Sequence, residues 1–124
     1  MLARVTPAGP ACHTGATSCF GDVALGADAL GALDRVLAAR QAAMAGPASG
    51  GETPSYTQRL LGDRNLRLKK LGEEAAELVT ACADADRERA VEEAMDVVYH
   101  TMVALRALGV GLDEVRRAAE GRAK

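Results

Sequence analysis

Apolar residues recur at helical spacing through most of the chain, and this period predicts the fold class. Residues 64–83 and 87–108 each show an apolar stripe when projected at about 100° per residue, and residues 29–45 show a shorter one. In chain order the stripes are Leu30, Leu33, Leu37 and Met44; then Leu68, Leu71, Ala75, Leu78, Val79 and Cys82; then Val91, Met95, Val98, Met102 and Leu105. No strand pattern of any length follows residue 22, so the sequence predicts an all-α fold.

Caps and glycines predict where the helices begin and end. They are Asp28, Asp63 and Asp86 as N-caps, Ser55 with Gln58 as a capping box that opens a short helix, and Gly62 and Gly109 as helix ends. Residues 112–121 form a last helix, and the Gly- and Pro-rich residues 46–54 form a loop. We expect an antiparallel bundle of about four to five helices over residues 23–124. Residues 1–22 form an irregular leader with at most one short strand, at residues 2–5.

Two pairs of carboxylates are the most informative polar feature. Glu74 and Glu77 lie three residues apart on one predicted helix, and Glu93 and Asp96 lie three apart on the next. Because residues i and i+3 share a helix face, two antiparallel helices can gather these four side chains around Mg²⁺, a cation suited to phosphate chemistry. The competing interpretation is a solvated helix face, where neighbouring acidic residues are common.

The surroundings of the second pair argue against a solvated face. Glu93, Asp96 and His100 lie nearly opposite the apolar stripe of their helix. Their side continues without further charge through Val97, Val103, Ala104 and Ala107. A helix that is apolar on two sides is buried, and a buried carboxylate must be paired, protonated or bound to a cation. We therefore expect the four carboxylates to bind Mg²⁺.

Two lysines precede the first carboxylate pair, and each has two interpretations. Lys70 has the i,i+4 spacing for an ion pair with Glu74, and Lys69 has the features of a solvated side chain. Either lysine is also suited to contact a phosphate as a point charge. The sequence leaves both interpretations open.

Four motifs along residues 55–100 carry a resemblance to a known family. They are Ser55-Tyr56-Thr57, Leu60-Leu61, Lys69-Lys70-Leu71-Gly72-Glu73-Glu74-Ala75-Ala76-Glu77 and Glu92-Glu93-Ala94-Met95-Asp96-Val97-Val98-Tyr99-His100. Over about residues 30–122 the chain resembles phosphoribosyl-ATP pyrophosphohydrolase, the second enzyme of histidine biosynthesis. Its acidic motifs are shared with the wider all-α, MazG-like pyrophosphohydrolases.

This resemblance implies Mg²⁺-dependent hydrolysis of phosphoribosyl-ATP between its α and β phosphates, giving phosphoribosyl-AMP and pyrophosphate. Glu74, Glu77, Glu93 and Asp96 are expected to bind Mg²⁺, and one of these or Glu73 is expected to accept the proton of the attacking water. Lys69, Lys70 and Arg59 are expected to bind phosphate. His100 is expected either to support a metal ligand or to be an ordinary core residue. The number of ions and the identity of the base remain open. We assign Tyr56 and Tyr99 to packing rather than to base stacking.

The leader carries a second resemblance. Its Gly9-Pro10-Ala11-Cys12-His13-Thr14-Gly15 and Ser18-Cys19-Phe20 resemble the C-terminal zinc-binding tail of phosphoribosyl-AMP cyclohydrolase, the next enzyme of the pathway. In that family a third cysteine and an Asp-rich metal motif lie upstream, and this chain has neither. Structural zinc requires four ligands, so we expect a remnant without a working zinc site. Cys82, on its apolar stripe, is predicted to be a small buried hydrophobe.

Composition adds expectations about assembly and excludes some partners. The 124 residues are 48% apolar but only 2% aromatic, and Ala-rich helices bury little area each, so we expect a homodimer. A net charge of -2 gives no nucleic-acid footprint, and no apolar run approaches the roughly 18 residues of a membrane span. Without a signal-peptide pattern, the predicted location is the cytoplasm.

Two rival functions stay open. A housecleaning nucleotide pyrophosphatase would use the same carboxylates on other nucleotides, and a turnover screen separates it from the histidine enzyme. A non-catalytic helical interaction module would release no pyrophosphate from any nucleotide.

Overall fold

The computed structural model describes residues 28–46 and 53–123. The predicted leader, its short strand, Cys12 and Cys19, and most of the predicted loop at 46–54 lie outside the described residues. The chain divides into two compact units, Met1–Leu30 and Gly31–Lys124, and the packing described below is that of the second.

Five helices make up the described part of the chain, and no strand occurs there. They are α1 (Ala29–Met44), α2 (Tyr56–Gly62), α3 (Arg64–Ala83), α4 (Arg87–Arg106) and α5 (Leu112–Arg122). The all-α prediction is confirmed. The helices α1, α4 and α5 end one or two residues from their predicted ends. Differences of this size are common at helix ends, where the last turn is often tighter.

Local hydrogen bonds begin α2, α3 and α4 as predicted. The Ser55 hydroxyl accepts from the Gln58 amide at 3.3 Å, and the Gln58 side chain accepts from the Ser55 amide at 2.9 Å, which completes the capping box. The carboxylates of Asp63 and Asp86 each accept from the backbone amide three residues on, at 3.0 and 3.1 Å.

A tight turn makes α3 and α4 an antiparallel hairpin, which is the largest helix-to-helix interface described. Ala85 adopts a left-handed conformation with φ of 55°, and the amides of Ala85 and Asp86 bond back to the carbonyls of Cys82 and Ala81. This is the Schellman arrangement, which closes a helix and reverses the chain within a few residues. The reversal sets the acidic positions of α3 opposite those of α4.

The core lies where α1, α2 and α5 meet the C-terminal half of α4. Its buried side chains are Leu37, Leu60, Met102, Val103 and Leu112. Arg67 of α3 fixes α2 beside this core, because its guanidinium donates to the carbonyls of Leu60 and Leu61 at 2.9 Å each. The short α2 is thereby held against α3 and α4, close to the acidic motifs.

The predicted core stripes of α3 and α4 are partly wrong for a single chain. Val79 is 69% exposed and Val91 is 72% exposed, while the buried residues of α3 are Glu74 and Ala81. Cys82, predicted to be buried, is exposed. The reason is that α3 packs on α4 through its acidic stripe, so the apolar stripe beside it faces outward. Periodicity identifies the sides of a helix but not the neighbour that covers each side.

Candidate acidic metal centre

Three of the four predicted carboxylates come together between α3 and α4. Glu74, Glu77 and Glu93 each offer one oxygen, and these oxygens lie within 4.8 Å of one another. Glu74 is buried, Glu93 is half-buried and Glu77 is exposed, so the cluster opens toward solvent on one side. We call these three residues the acidic cluster.

The electrostatics of the acidic cluster fit a hard cation. The charge of Glu93 raises the pKa of Glu77, and partial desolvation and the charge of Glu74 raise it further. Carboxylates held this close repel one another unless a proton or a cation lies between them. Oxygen donors with surplus negative charge are the ligands that Mg²⁺ prefers.

Basic side chains flank the acidic cluster on both helices. Lys70 Nζ lies 3.0 Å from Glu73 and 3.3 Å from Glu74, and Lys69 Nζ lies 3.3 Å from Glu73. The i,i+4 ion pair of Lys70 with Glu74 is therefore present. Hydrogen bonds from Lys70 and then Lys69 lower the pKa of Glu73, and bonds to Glu73 and then Glu74 raise the pKa of Lys70 above its usual range.

Arg89 also lies in this region, although it was not among the predicted site residues. Its Nε lies 3.2 Å from Glu93 Oε1. The signal that identifies it is the same i,i+4 spacing that Lys70 and Glu74 have. Arg89 therefore balances part of the charge on the α4 side of the acidic cluster.

Asp96, the fourth predicted ligand, is exposed and lies outside the acidic cluster. It follows Glu93 by almost one turn of α4, and its charge acts on the neighbouring His100. Its role as a ligand stays a prediction.

His100 is only 4% exposed, and its Nε2 lies 3.8 Å from Glu74 Oε1. Its Nδ1 has no hydrogen-bond partner among the described residues. Burial lowers the pKa of His100, more than the charge of Glu74 raises it, so the imidazole is neutral at neutral pH. His100 thus borders the acidic cluster from the core side.

An aromatic group stands beside His100. The rings of Tyr56 and Tyr99 stack with centroids 6.5 Å apart, and both present His100 with an edge-to-face contact. The guanidinium carbon of Arg59 lies over the Tyr56 ring, 5.5 Å from its centroid. Arg59, predicted to bind phosphate, therefore rests on an aromatic face.

The chain matches the family model of phosphoribosyl-ATP pyrophosphohydrolase over residues 37–123, which include the acidic cluster and its flanking bases. It belongs to that family. The assignment made from the motifs of residues 55–100 is thus confirmed. The motifs of residues 55–100 that resemble this family therefore lie on α2, α3 and α4.

The curated relatives are longer proteins. The chain is 41% identical over 121 residues to the histidine biosynthesis bifunctional protein HisIE of Bacillus subtilis, covering 93% of this chain and 55% of that protein. It is 39% identical over 128 residues to the Deinococcus radiodurans protein of the same name, covering 98% of this chain and 57% of that protein. The chain thus spans about half the length of the curated relatives it matches.

The similarity to these relatives extends beyond the family match. An alignment that covers 98% of the chain includes nearly all of residues 1–22. The aligned region therefore includes the leader as well as the helical part of the chain. Separately, none of the helices in the described ranges is long and apolar enough to cross a membrane.

Proposed function

We propose that this chain hydrolyses phosphoribosyl-ATP to phosphoribosyl-AMP and pyrophosphate, the second step of histidine biosynthesis. The observation that carries the proposal is the acidic cluster, which joins the two acidic motifs of the family across an antiparallel hairpin. The names of the relatives, which place those proteins in histidine biosynthesis, support the same pathway.

Glu74, Glu77 and Glu93 would hold Mg²⁺, with Asp96 as a fourth ligand on the same side of α4. When bound, Mg²⁺ would neutralise the triphosphate and make the attacking water more acidic. The carboxylates fit this ion because their mutual repulsion, seen in the raised pKa of Glu77, is relieved by a cation.

The phosphate oxygens would be bound by Lys69, Lys70 and Arg59. In the structure the two lysines are engaged by Glu73. A bound phosphate would draw them away, and Glu73 would then lose the hydrogen bonds that lower its pKa. Glu73 would thereby become a better proton acceptor when substrate is present, which makes it our candidate for the general base.

The active unit would be a homodimer in the cytoplasm. The side chains of Leu68 and Val79 on α3, and of Val91 and Met95 on α4, are exposed in the single chain. A second copy of the chain is the partner we propose for this face. Phosphoribosyl-ATP is the small-molecule partner, and no nucleic-acid or membrane partner is proposed.

The leader would be dispensable for this reaction. Its motifs resemble a zinc-binding tail, but Cys12 and Cys19 with His13 offer at most three ligands. We expect removal of residues 1–22 to leave pyrophosphate release unchanged, and we expect residues 1–124 by themselves to show no cyclohydrolase activity. Loss of pyrophosphate release on truncation would show that the leader takes part.

The deciding experiment measures pyrophosphate release from phosphoribosyl-ATP with Mg²⁺, with a chelator, and with common nucleoside triphosphates. We expect turnover of phosphoribosyl-ATP with Mg²⁺ only. Glu77→Gln should lower it by at least about 100-fold, because a ligand is lost, while Glu92→Gln on the outer side of α4 should not. Faster turnover of ordinary nucleotides would indicate the housecleaning enzyme. An absence of turnover on every nucleotide would indicate the non-catalytic module.

A further inference from the structure

Tyr56 is exposed and yet firmly held. Tyr56 is the first residue of α2 and is 39% exposed, but three neighbouring side chains orient its ring. Tyr99 stacks against it with an interplanar angle of 14°, His100 meets it edge to face at 6.0 Å, and Arg59 lies over it. Tyr56 thus combines a fixed ring orientation with partial exposure to solvent, which are the two properties that a ring needs to stack on a ligand.

The support behind Tyr56 is rigid. The Tyr99 hydroxyl is 2.9 Å from the Thr57 hydroxyl, which also accepts from Arg40 at 2.6 Å. Thr57 is fully buried, and both hydrogen bonds are partly buried. The pair of stacked rings is therefore fixed to both α1 and α4, and the orientation of Tyr56 is set before any ligand arrives.

The ring also lies close to the acidic cluster. His100 contacts Tyr56 with one edge, and its Nε2 is 3.8 Å from Glu74. One side chain thus separates the aromatic face from a carboxylate of the acidic cluster. A nucleotide whose phosphates lie on the acidic cluster and on Lys70 has its base within reach of Tyr56.

We propose that Tyr56 is the stacking platform for the purine base of the nucleotide substrate, and that the base takes the place of the Arg59 guanidinium on its ring. This inference rests on the proposed function and adds its base-binding subsite. A purine stacks well on a tyrosine face, as does a guanidinium. Arg59, once displaced, is free to reach phosphate oxygens, for which its planar fork is suited. Tyr56 thus contributes to substrate binding rather than to packing.

Kinetics with two variants test the platform. Tyr56→Ala should raise KM for phosphoribosyl-ATP by about 5- to 150-fold, the range for loss of one base-stacking aromatic. The effect on kcat should be smaller, because the lost contact is to the base and not to the phosphates that react. Tyr56→Phe retains the ring face and should stay close to wild type. Equal KM values for Tyr56→Ala and Tyr56→Phe would overturn the proposal.

A binding measurement gives a readout that does not depend on turnover. The chain has only two tyrosines, so the NMR signals of their rings can be assigned with Tyr56→Phe and Tyr99→Phe. With Mg²⁺ present, an ATP analogue with a methylene group between the α and β phosphates should move the Tyr56 ring signals upfield. Tripolyphosphate, which lacks a base, can draw Arg59 off the ring but should not produce this upfield shift. An equal upfield shift with tripolyphosphate, or none with the analogue at saturation, would overturn the platform.

The two proposals can fail separately. If wild-type protein hydrolyses phosphoribosyl-ATP while Tyr56→Ala keeps the wild-type KM, the platform is wrong and the function stands. If no hydrolysis occurs but the analogue shifts the Tyr56 signals, the platform stands and the function is wrong. If Tyr56→Ala only changes the mass of the protein in solution, Tyr56 belongs to a subunit interface and the platform is overturned.

Discussion

Three carboxylates of this chain face one another at close range, and two bases compensate them only in part. Lys70 pairs with Glu74 and Arg89 pairs with Glu93, whereas Glu77 receives mainly the repulsion of its acidic neighbours. At the residue scale the metal-free cluster is therefore an unfavourable arrangement, most of all at Glu77. Such an arrangement is common where a protein binds a cation, because the ion removes the repulsion.

Glu77→Gln should therefore raise the unfolding temperature of the protein in chelator at neutral pH. A carboxyl whose folded pKa is raised adds stability below its unfolded pKa and loses it as pH rises through the folded pKa. The pKa of Glu77 is raised, chiefly by Glu93, so the ionised form opposes folding at neutral pH. The difference from wild type should vanish below the ordinary value of 4.5, where Glu77 is protonated in both states. Melting curves across this pH range measure it.

The same melting curves, measured with added Mg²⁺, give a second test of the role of Glu77. Wild type should gain stability on addition of Mg²⁺, and Glu77→Gln should gain less, because a ligand that binds only the folded state stabilises it. Glu92→Gln, with the same chemical change outside the acidic cluster, is the matched control. A Glu77→Gln protein that is less stable than wild type in chelator would show that Glu77 supports the fold.

At the scale of elements, the short α2 depends on its tertiary contacts. A seven-residue helix is marginal alone, since nucleation is unfavourable and few hydrogen bonds follow it. The capping box starts it, Leu60 anchors it in the core, and Arg67 binds its last carbonyls. Thr57 adds a buried link to α1 and α4. The position of α2 determines where Tyr56 and Arg59 stand relative to α3.

Thr57→Val tests the buried link. Valine nearly matches threonine in volume but removes both hydroxyl contacts, leaving the Tyr99 hydroxyl and the Arg40 guanidinium without this partner. We expect a loss of about 1–3 kcal/mol in the free energy of unfolding, measured by urea denaturation. Thr57→Ser keeps the hydroxyl and should lose less. No loss for Thr57→Val, together with a loss for Thr57→Ser, would mean that the methyl group, and not the hydrogen bonds, supports α2.

At the scale of the whole molecule, exposed apolar side chains on α3 and α4 form the face that we propose as the dimer interface. Leu68, Ala75, Val79 and Cys82 lie on one side of α3 and are exposed, and Val91 and Met95 of α4 are exposed as well. Large exposed apolar patches on soluble proteins usually mark interaction sites. These are also the residues whose period predicted a core, so a second copy of the chain would complete that core between subunits.

Val79→Glu should therefore convert a dimer into a monomer, because it places a charge in the centre of the proposed interface. Light scattering over a range of protein concentrations measures the mass. Leu108→Glu is the matched control, since Leu108 is 76% exposed but lies in the turn after α4. A dimeric Val79→Glu protein, or a monomeric wild type with full activity, would contradict the prediction.

The helices and their N-caps could be predicted because they depend on neighbours in the sequence. Ser55 with Gln58, Asp63 and Asp86 cap amides three residues away, and the hairpin turn closes within a few residues. The grouping of Glu74, Glu77 and Glu93 followed from the same local regularity. Two residues that are three positions apart lie on the same face of a helix, and a short turn brings two such faces together.

The tertiary structure decided which side of each helix is covered and which distant residues meet. Cys82 lies on an apolar stripe, yet it is exposed because α3 turns its acidic stripe toward α4. The chain from Arg40 through Thr57 to Tyr99 joins residues 17 and 42 positions apart, and no periodic pattern connects them. A single sequence shows the period of a helix, which depends on local geometry. Which stripe faces another helix depends on the packing energy of the whole molecule, and so does the placing of an open ring at Tyr56.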